Sequence, residues 1–145
     1  MRLSTKGEYG LLAIIDLAMH THQGPVQSLQ IAERQGIPKQ YLDQLMLILK
    51  KAALVGSSRG RQGGYVLARP ASRISLYDIV TALEGPMENI NFIRKGTRAR
   101  NPAREILNVL WEQITGEVAA RLRRKTLEEI CDEHKRLENQ IMYYI

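Results

Sequence analysis

The stretch Ile31-Ala32-Glu33-Arg34-Gln35-Gly36-Ile37-Pro38-Lys39-Gln40-Tyr41-Leu42-Asp43-Gln44-Leu45-Met46-Leu47-Ile48-Leu49-Lys50-Lys51 decides how this chain folds. Its glycine stops one helix. Its proline, two residues on, suits the first turn of another, because the ring presets a helical φ and the missing N–H is one that a first turn cannot use. A short helix capped at Ser28 and ended at Gly36, a tight turn, and a helix from Pro38 to about Ala53 make a helix-turn-helix. In the second of these helices Leu42, Leu45, Met46 and Leu49 recur at helical spacing and form a stripe that must be buried. Burying that stripe turns Lys39, Gln40, Asp43 and Gln44 to solvent, toward the N-terminal end of the helix.

Downstream, Leu54-Val55-Gly56-Ser57-Ser58 and Tyr65-Val66-Leu67 are β-type runs around the turn Arg59-Gly60-Arg61-Gln62-Gly63-Gly64. A hairpin directly after a helix-turn-helix is a wing. Ser75 then caps a helix from Leu76 to Leu83, which Gly85-Pro86 ends. Residues 86–100 form a polar, basic connector. Asn101 and Pro102 open the longest helix, which runs to about Arg124 and carries Leu107, Leu110, Ile114, Val118 and Leu122, flanked by Ile106 and Val109. Such a helix spans about 36 Å, more than one small domain covers, so it predicts pairing with a second copy of the chain. Thr126-Leu127-Glu128-Glu129 has the form of a capping box and starts a final helix. The chain closes on the apolar run Ile141-Met142-Tyr143-Tyr144-Ile145, which either packs back on the dimer or is presented to a partner.

Upstream, Ser4 caps a helix to about His20 whose segment Leu11 to Met19 is apolar almost all round, with Asp16 its one charge. A helix of that kind needs cover on more than one side, here from its own domain and from a second subunit. The expected architecture is therefore mainly α with a small β-wing. Residues 1–85 form a winged helix-turn-helix domain, 86–100 a connector, and 101–145 a long dimerisation helix with a C-terminal helix and tail.

Composition agrees with a globular protein and narrows the partner. The 145 residues are 44% hydrophobic and 25% charged, near globular averages. The apolar run at Leu11 to Leu17 is too short to span a bilayer, and the opening Met1-Arg2-Leu3-Ser4 leads into no secretory apolar region. A single cysteine, Cys131, excludes an internal disulfide framework and fits a reducing cytoplasm. The net charge is +6, concentrated in two places. Between Ser28 and Arg69, Arg34, Lys39, Lys50, Lys51, Arg59, Arg61 and Arg69 face only Glu33 and Asp43, and a second basic block runs from Arg94 to Arg104. Clustered positive charge suits a polyanion.

Chemistry on the exposed helix face points the same way. Gln40 and Gln44 lie one helical turn apart, and Gln can pair with the adenine edge in the major groove. Asp43 between them can accept from cytosine and repel phosphate elsewhere, favouring specificity over affinity. Lys39, Tyr41, Lys50 and Lys51 are candidate phosphate contacts, which position a protein without reading sequence. In the wing, Ser58, Arg59, Gly60, Arg61, Gly63 and Tyr65 form a tight, arginine-tipped hairpin suited to the negative potential of a narrow minor groove. Other readings are weaker. Asp16, His20 and His22 are too scattered for a metal site. Cys131 and His134 form a thiol–imidazole pair at i, i+3, but a structural cysteine is the commoner case. Trp111 and the tyrosines read as packing residues. RGRQGG matches neither a P-loop nor a dinucleotide fingerprint, and no nucleophile, base and oxyanion donors converge, so the chain reads as non-catalytic.

MRLSTKGEYGLLAIIDLA, IAERQGIPKQYLDQLMLILKKAALVGSSRGRQGGYVLARP, ISLYDIVTALEGP and TLEEI together resemble the Rrf2 family of bacterial winged-helix regulators. The resemblance covers nearly the whole chain and is weakest at 88–104. It implies a homodimer bound to double-stranded DNA. Cluster-binding members hold an iron–sulfur centre with cysteines in the connector. Residues 86–104 here contain neither Cys nor His, so the expected cofactor is none. The LEGP step and the MYYI ending are more similar to the cysteine-metabolism branch, which implies regulation through cysteine synthase as a protein partner. The sequence thus predicts a homodimeric DNA-binding regulator, most simply a repressor, on an imperfect palindrome. The alternative is a protein-interaction module whose output is a complex with a metabolic enzyme.

Overall fold

The computed structural model describes residues 2–87 and 101–144. The connector expected at 86–100 lies outside the described residues from 88 onward, as does Ile145.

The first helix, α1 (Thr5–His20), starts where Ser4 accepts a hydrogen bond from the Gly7 N–H at 3.1 Å and passes into a 3-10 turn, Thr21–Gln23. The second, α2 (Ser28–Gln35), ends at Gly36, whose φ of 64° is the left-handed conformation that glycine adopts at no steric cost. Ser28 was expected to cap α2, but Gln27 occupies the cap. Gln27 and Gln30 form a reciprocal box in which the Gln27 N–H donates to Gln30 Oε1 at 3.2 Å. The Gln30 N–H also donates to the Gln27 backbone carbonyl at 3.0 Å, and Ser28 lies inside the first turn. Pro38 likewise sits just before α3 (Lys39–Lys51) and caps it instead of occupying its first turn. The end of α3 is closed by bonds from the Ala53 N–H to the Lys50 carbonyl and from the Leu54 N–H to the Leu49 carbonyl, each 3.0 Å. This closure places Ala53 at φ 57°, a conformation disfavoured for a residue with a Cβ by roughly 1–2 kcal/mol.

Strands β1 (Val55–Ser58) and β2 (Gly64–Leu67) pair antiparallel, with Val55 opposite Leu67 and Ser58 opposite Gly64. Helix α4 (Leu76–Glu84) carries the Ser75–Asp78 capping box, α5 (Pro102–Arg124) is capped by Asn101, and α6 (Leu127–Tyr143) by Thr126 with Glu129. The expected apolar stripe of α3, Leu42, Leu45, Met46 and Leu49, is fully buried. It joins Ala13, Ile14 and Leu17 of α1, Ile31 of α2, and Ile79 and Leu83 of α4 in one core.

Two features of that core come from distant residues. Gly7 and Gly10 bring α1 and α4 into close approach, for a Cβ on Gly10 would run into the Leu83 side chain. The chain also returns to this core after α5. The Leu76 N–H donates to the Lys125 carbonyl at 2.7 Å and the Leu127 N–H to the Ile74 carbonyl at 2.8 Å, so Leu127 is fully buried and Cys131 nearly so. The first turns of α6 thus complete the core of residues 1–85. Arg123 stacks over the Tyr77 ring at 4.0 Å and fastens the end of α5 to α4.

Asp16, the one charge in the apolar stretch of α1, is buried. Arg34 grips it with Nε on Oδ2 at 2.9 Å and Nη2 on Oδ1 at 2.6 Å, and Gln35 Nε2 donates to Oδ2 at 2.8 Å. The His20 Nδ1–H donates to the Asp16 backbone carbonyl at 2.7 Å. These bonds account for the Asp16–His20 spacing: the carboxylate ties α2 to α1.

Candidate nucleic-acid interface

Burial of the α3 stripe leaves the opposite face open, as its spacing requires. Lys39, Gln40 and Gln44 are exposed there, and Asp43 is half-buried. Lys39 Nζ and Asp43 Oδ2 form an ion pair at 2.6 Å one turn apart, so the Asp43 carboxylate is already engaged in the unbound protein. Gln40 and Gln44 offer a donor and an acceptor each from consecutive turns of the same exposed face.

The wing is held beside this helix by two attachments. Lys50 Nζ donates to Ser57 Oγ at 2.6 Å, joining the last turn of α3 to β1. Val26, just before α2, pairs with Tyr65 on β2: the Val26 N–H donates to the Tyr65 carbonyl at 2.9 Å and the Tyr65 N–H to the Val26 carbonyl at 2.7 Å. This pairing demands glycine at 64, because a Cβ there would lie 2.5 Å from the Val26 carbonyl oxygen. The wing turn is equally constrained. Gly60 has φ 111°, the Gly63 N–H donates to its carbonyl at 3.0 Å, and a Cβ on Gly63 would strike the Ser58 carbonyl oxygen. Arg59 and Arg61 flank Gly60 and are exposed, as is Ser58 at the end of β1.

Other expected site residues take different places. Tyr41 is half-buried and packs edge-on against Tyr9 with ring centroids 5.9 Å apart, and Tyr65 packs against the core. Packing therefore occupies both rings. Lys51 is exposed. On α5, Leu107, Leu110 and Ile114 stand in solvent with Ile106 and Val109, whereas Val118 and Leu122 are half-buried. The tyrosines near the C-terminus are not packing residues within the subunit. Tyr143 and Tyr144 are each 89% exposed at the end of α6. Sequence reasoning missed the roles of Ser57 and of the Asp16–Arg34–Gln35 group. A lone carboxylate in an all-apolar helix was the available signal for the latter, since a buried charge needs a partner.

The donor set does not fit an iron–sulfur cluster. The chain has one cysteine. Cys131 is buried against the core, and that burial pushes its thiol above the usual cysteine range, away from the thiolate that a cluster requires. Among the described residues no three His, Cys, Asp or Glu side chains gather as metal ligands.

A family model described as Rrf2, iron-dependent transcriptional regulator, matches residues 3–133. The chain is 36% identical over 132 residues to the HTH-type transcriptional regulator IscR of Erwinia tasmaniensis, covering 91% of this chain and 79% of that protein. It is 37% identical over 142 residues to IscR of Yersinia pseudotuberculosis, covering 95% and 84%. Among solved structures, CymR (YrzC), the global cysteine regulator of B. subtilis, superposes with a TM-score of 0.76 at 35% identity, covering 92% of this chain and 98% of that one. T. potens IscR superposes with a TM-score of 0.74 at 35% identity, covering 92% and 88%.

Proposed function

The chain belongs to the Rrf2 family of winged-helix transcriptional regulators, and from that premise we propose that it acts as a cluster-free homodimeric repressor reading an imperfect palindrome. The observation that carries this reading is the pairing of two surfaces. The open face of α3 presents Gln40 and Gln44, and a glycine-built hairpin fastened beside it presents Arg59 and Arg61. The face of α3 fits the major groove, where Gln40 and Gln44 address base edges. The arginine hairpin fits the neighbouring minor groove. Lys39, Lys50 and Lys51 fall on phosphates, and Lys39 exchanges Asp43 for a phosphate on binding. Domain 1–85, its core completed by the first turns of α6, then reads DNA, and α5, reached through the connector 86–100, supplies the main subunit contact.

Two open apolar surfaces support the dimer. Ile106, Leu107, Val109, Leu110 and Ile114 line the first half of α5. Leu12, Ile15 and Met19 of α1 line, with Ile130 and Leu137 of α6, the apolar part of a cleft of about 580 Å³ that Arg34, Glu133, His134 and Glu138 edge with charge and polarity.

The test is titration of duplex DNA with pure protein at several salt concentrations, since affinity falls as salt rises when phosphates are neutralised. Gln44→Ala is expected to relax base preference at one position per half-site by about 1–3 kcal/mol. Lys39→Ala is expected to weaken every sequence alike and to lower the salt slope by roughly one unit. Equal weakening of all sequences by both variants would remove Gln44 from the reading face.

Regulation of cysteine or sulfur metabolism is the finer reading. It is supported by near end-to-end coverage of the cysteine regulator CymR, 98% of its length. The exposed Met142, Tyr143 and Tyr144 leave an apolar surface that a second subunit or a partner, proposed to be cysteine synthase, would cover. Deleting Tyr144 and Ile145 is expected to abolish any response of DNA affinity to added cysteine synthase, with and without O-acetylserine, while leaving DNA binding by the protein alone. An unchanged response would leave the tail without that role.

A further inference from the structure

The open face of α3 carries one residue that neither charge nor hydrogen bonding explains. At 100° per residue, Gln40, Gln44, Leu47 and Lys51 fall together directly opposite the buried stripe of Leu42, Leu45, Met46 and Leu49. Among the described residues of α3, Leu47 is the one large apolar side chain left exposed, at 51%. The other apolar residue outside the stripe, Ile48, turns aside and packs against the core.

We propose that Leu47 is a specificity residue that reads a thymine through its C5-methyl group in the major groove. The inference rests on the reading of α3 as the DNA-facing helix. Gln40, Asp43, Gln44 and Leu47 are spaced i, i+3, i+4 and i+7, the spacing by which a helix seated in the major groove sets successive side chains against base edges. Four such positions span about 10 Å of helix, within reach of one groove crossing. Of the groups displayed in that groove, the thymine methyl is the one that an aliphatic side chain recognises, because the rest are hydrogen-bond donors and acceptors. Asp43 and Lys39 are paired with each other on one flank, and Gln44 lies on the other, so Leu47 supplies an apolar contact between polar ones.

The experiment begins with the shortest duplex that the pure protein selects from a random-sequence pool. Each thymine is then replaced singly by deoxyuridine, which removes only the methyl. Dissociation constants are measured for the wild type, Leu47→Ala and Leu47→Met. With the wild type, one thymine per half-site should show a loss of about fourfold, the effect of uncovering one methyl-sized group. That loss should vanish in Leu47→Ala and largely persist in Leu47→Met, which keeps an apolar chain of similar length. Because Leu47 is half in solvent, both variants should keep the wild-type helical circular dichroism. The proposal is overturned if no thymine methyl matters to the wild type, or if the loss is the same in Leu47→Ala. A protein that selects no duplex at all would overturn the DNA reading itself, and this inference with it.

Discussion

A chain carrying both Leu110→Asp and Ile114→Asp is expected to be a folded monomer that has lost operator binding by a factor of about 10²–10⁴. The size follows from the way two linked half-site contacts reinforce each other, a gain that disappears when the subunits separate. Folding of the subunit itself should be spared. Leu110 is 48% and Ile114 49% exposed within the subunit, so aspartate there meets water in the monomer and is buried only if two copies pair. Sedimentation or light scattering reads the subunit count, circular dichroism the fold, and titration with operator DNA the affinity. A dimer with unchanged affinity would place the seam on another surface.

Arg34→Ala is expected to cost about 3 kcal/mol, because removing this largely exposed guanidinium strands the buried Asp16 carboxylate. In a chain of this size that lowers the melting temperature by roughly 10 °C. Asp16 is 3% exposed and keeps Gln35 and His20 as polar neighbours, which is why the low end of the usual range applies. Replacing both charges together, as Asp16→Leu with Arg34→Met, should recover much of the loss, since apolar residues of similar volume do not need each other's charge. The helix-turn-helix is affected beyond stability. The pair fixes α2 on α1, and α2 leads directly through Gly36 into α3, so a loosened α2 misaligns the reading face. Thermal denaturation of the single and double variants measures the pair. A single variant as stable as the wild type would show that the carboxylate is solvated.

The starts of four helices were legible because a cap is a local device. Ser4, Ser75, Asn101 and Thr126 each accept a hydrogen bond from a backbone N–H within the next three residues, and all four occupy the expected places. At α2 composition favours Ser28, whereas Gln27 holds the cap position. The geometry of the first turn chose between them.

The site divides in the same way. The α3 face was readable because periodicity alone separates Leu42, Leu45, Met46 and Leu49 from Gln40 and Gln44. The wing was readable because Gly60, Gly63 and Gly64 mark a turn that few other residues allow. The burial of Tyr41 against Tyr9 was not readable, since the ring's neighbour lies on another helix. Nor was the exposure of Tyr143 and Tyr144, whose apolar character suggested packing.

By itself, then, the sequence determined the order of elements, the caps that start four of them, the buried stripe of α3 with the open face opposite it, and the absence of cluster ligands. These follow from interactions within a few residues, or from which residue types are present at all. Only the tertiary structure decided that Asp16 answers Arg34 and Gln35 eighteen and nineteen residues away. It alone decided that Lys50 holds the wing through Ser57 and that Leu127 and Cys131 close the core begun by α1. Each of these depends on which surfaces meet once the helices pack, and a side chain's spacing along the chain does not specify what lies across from it in space.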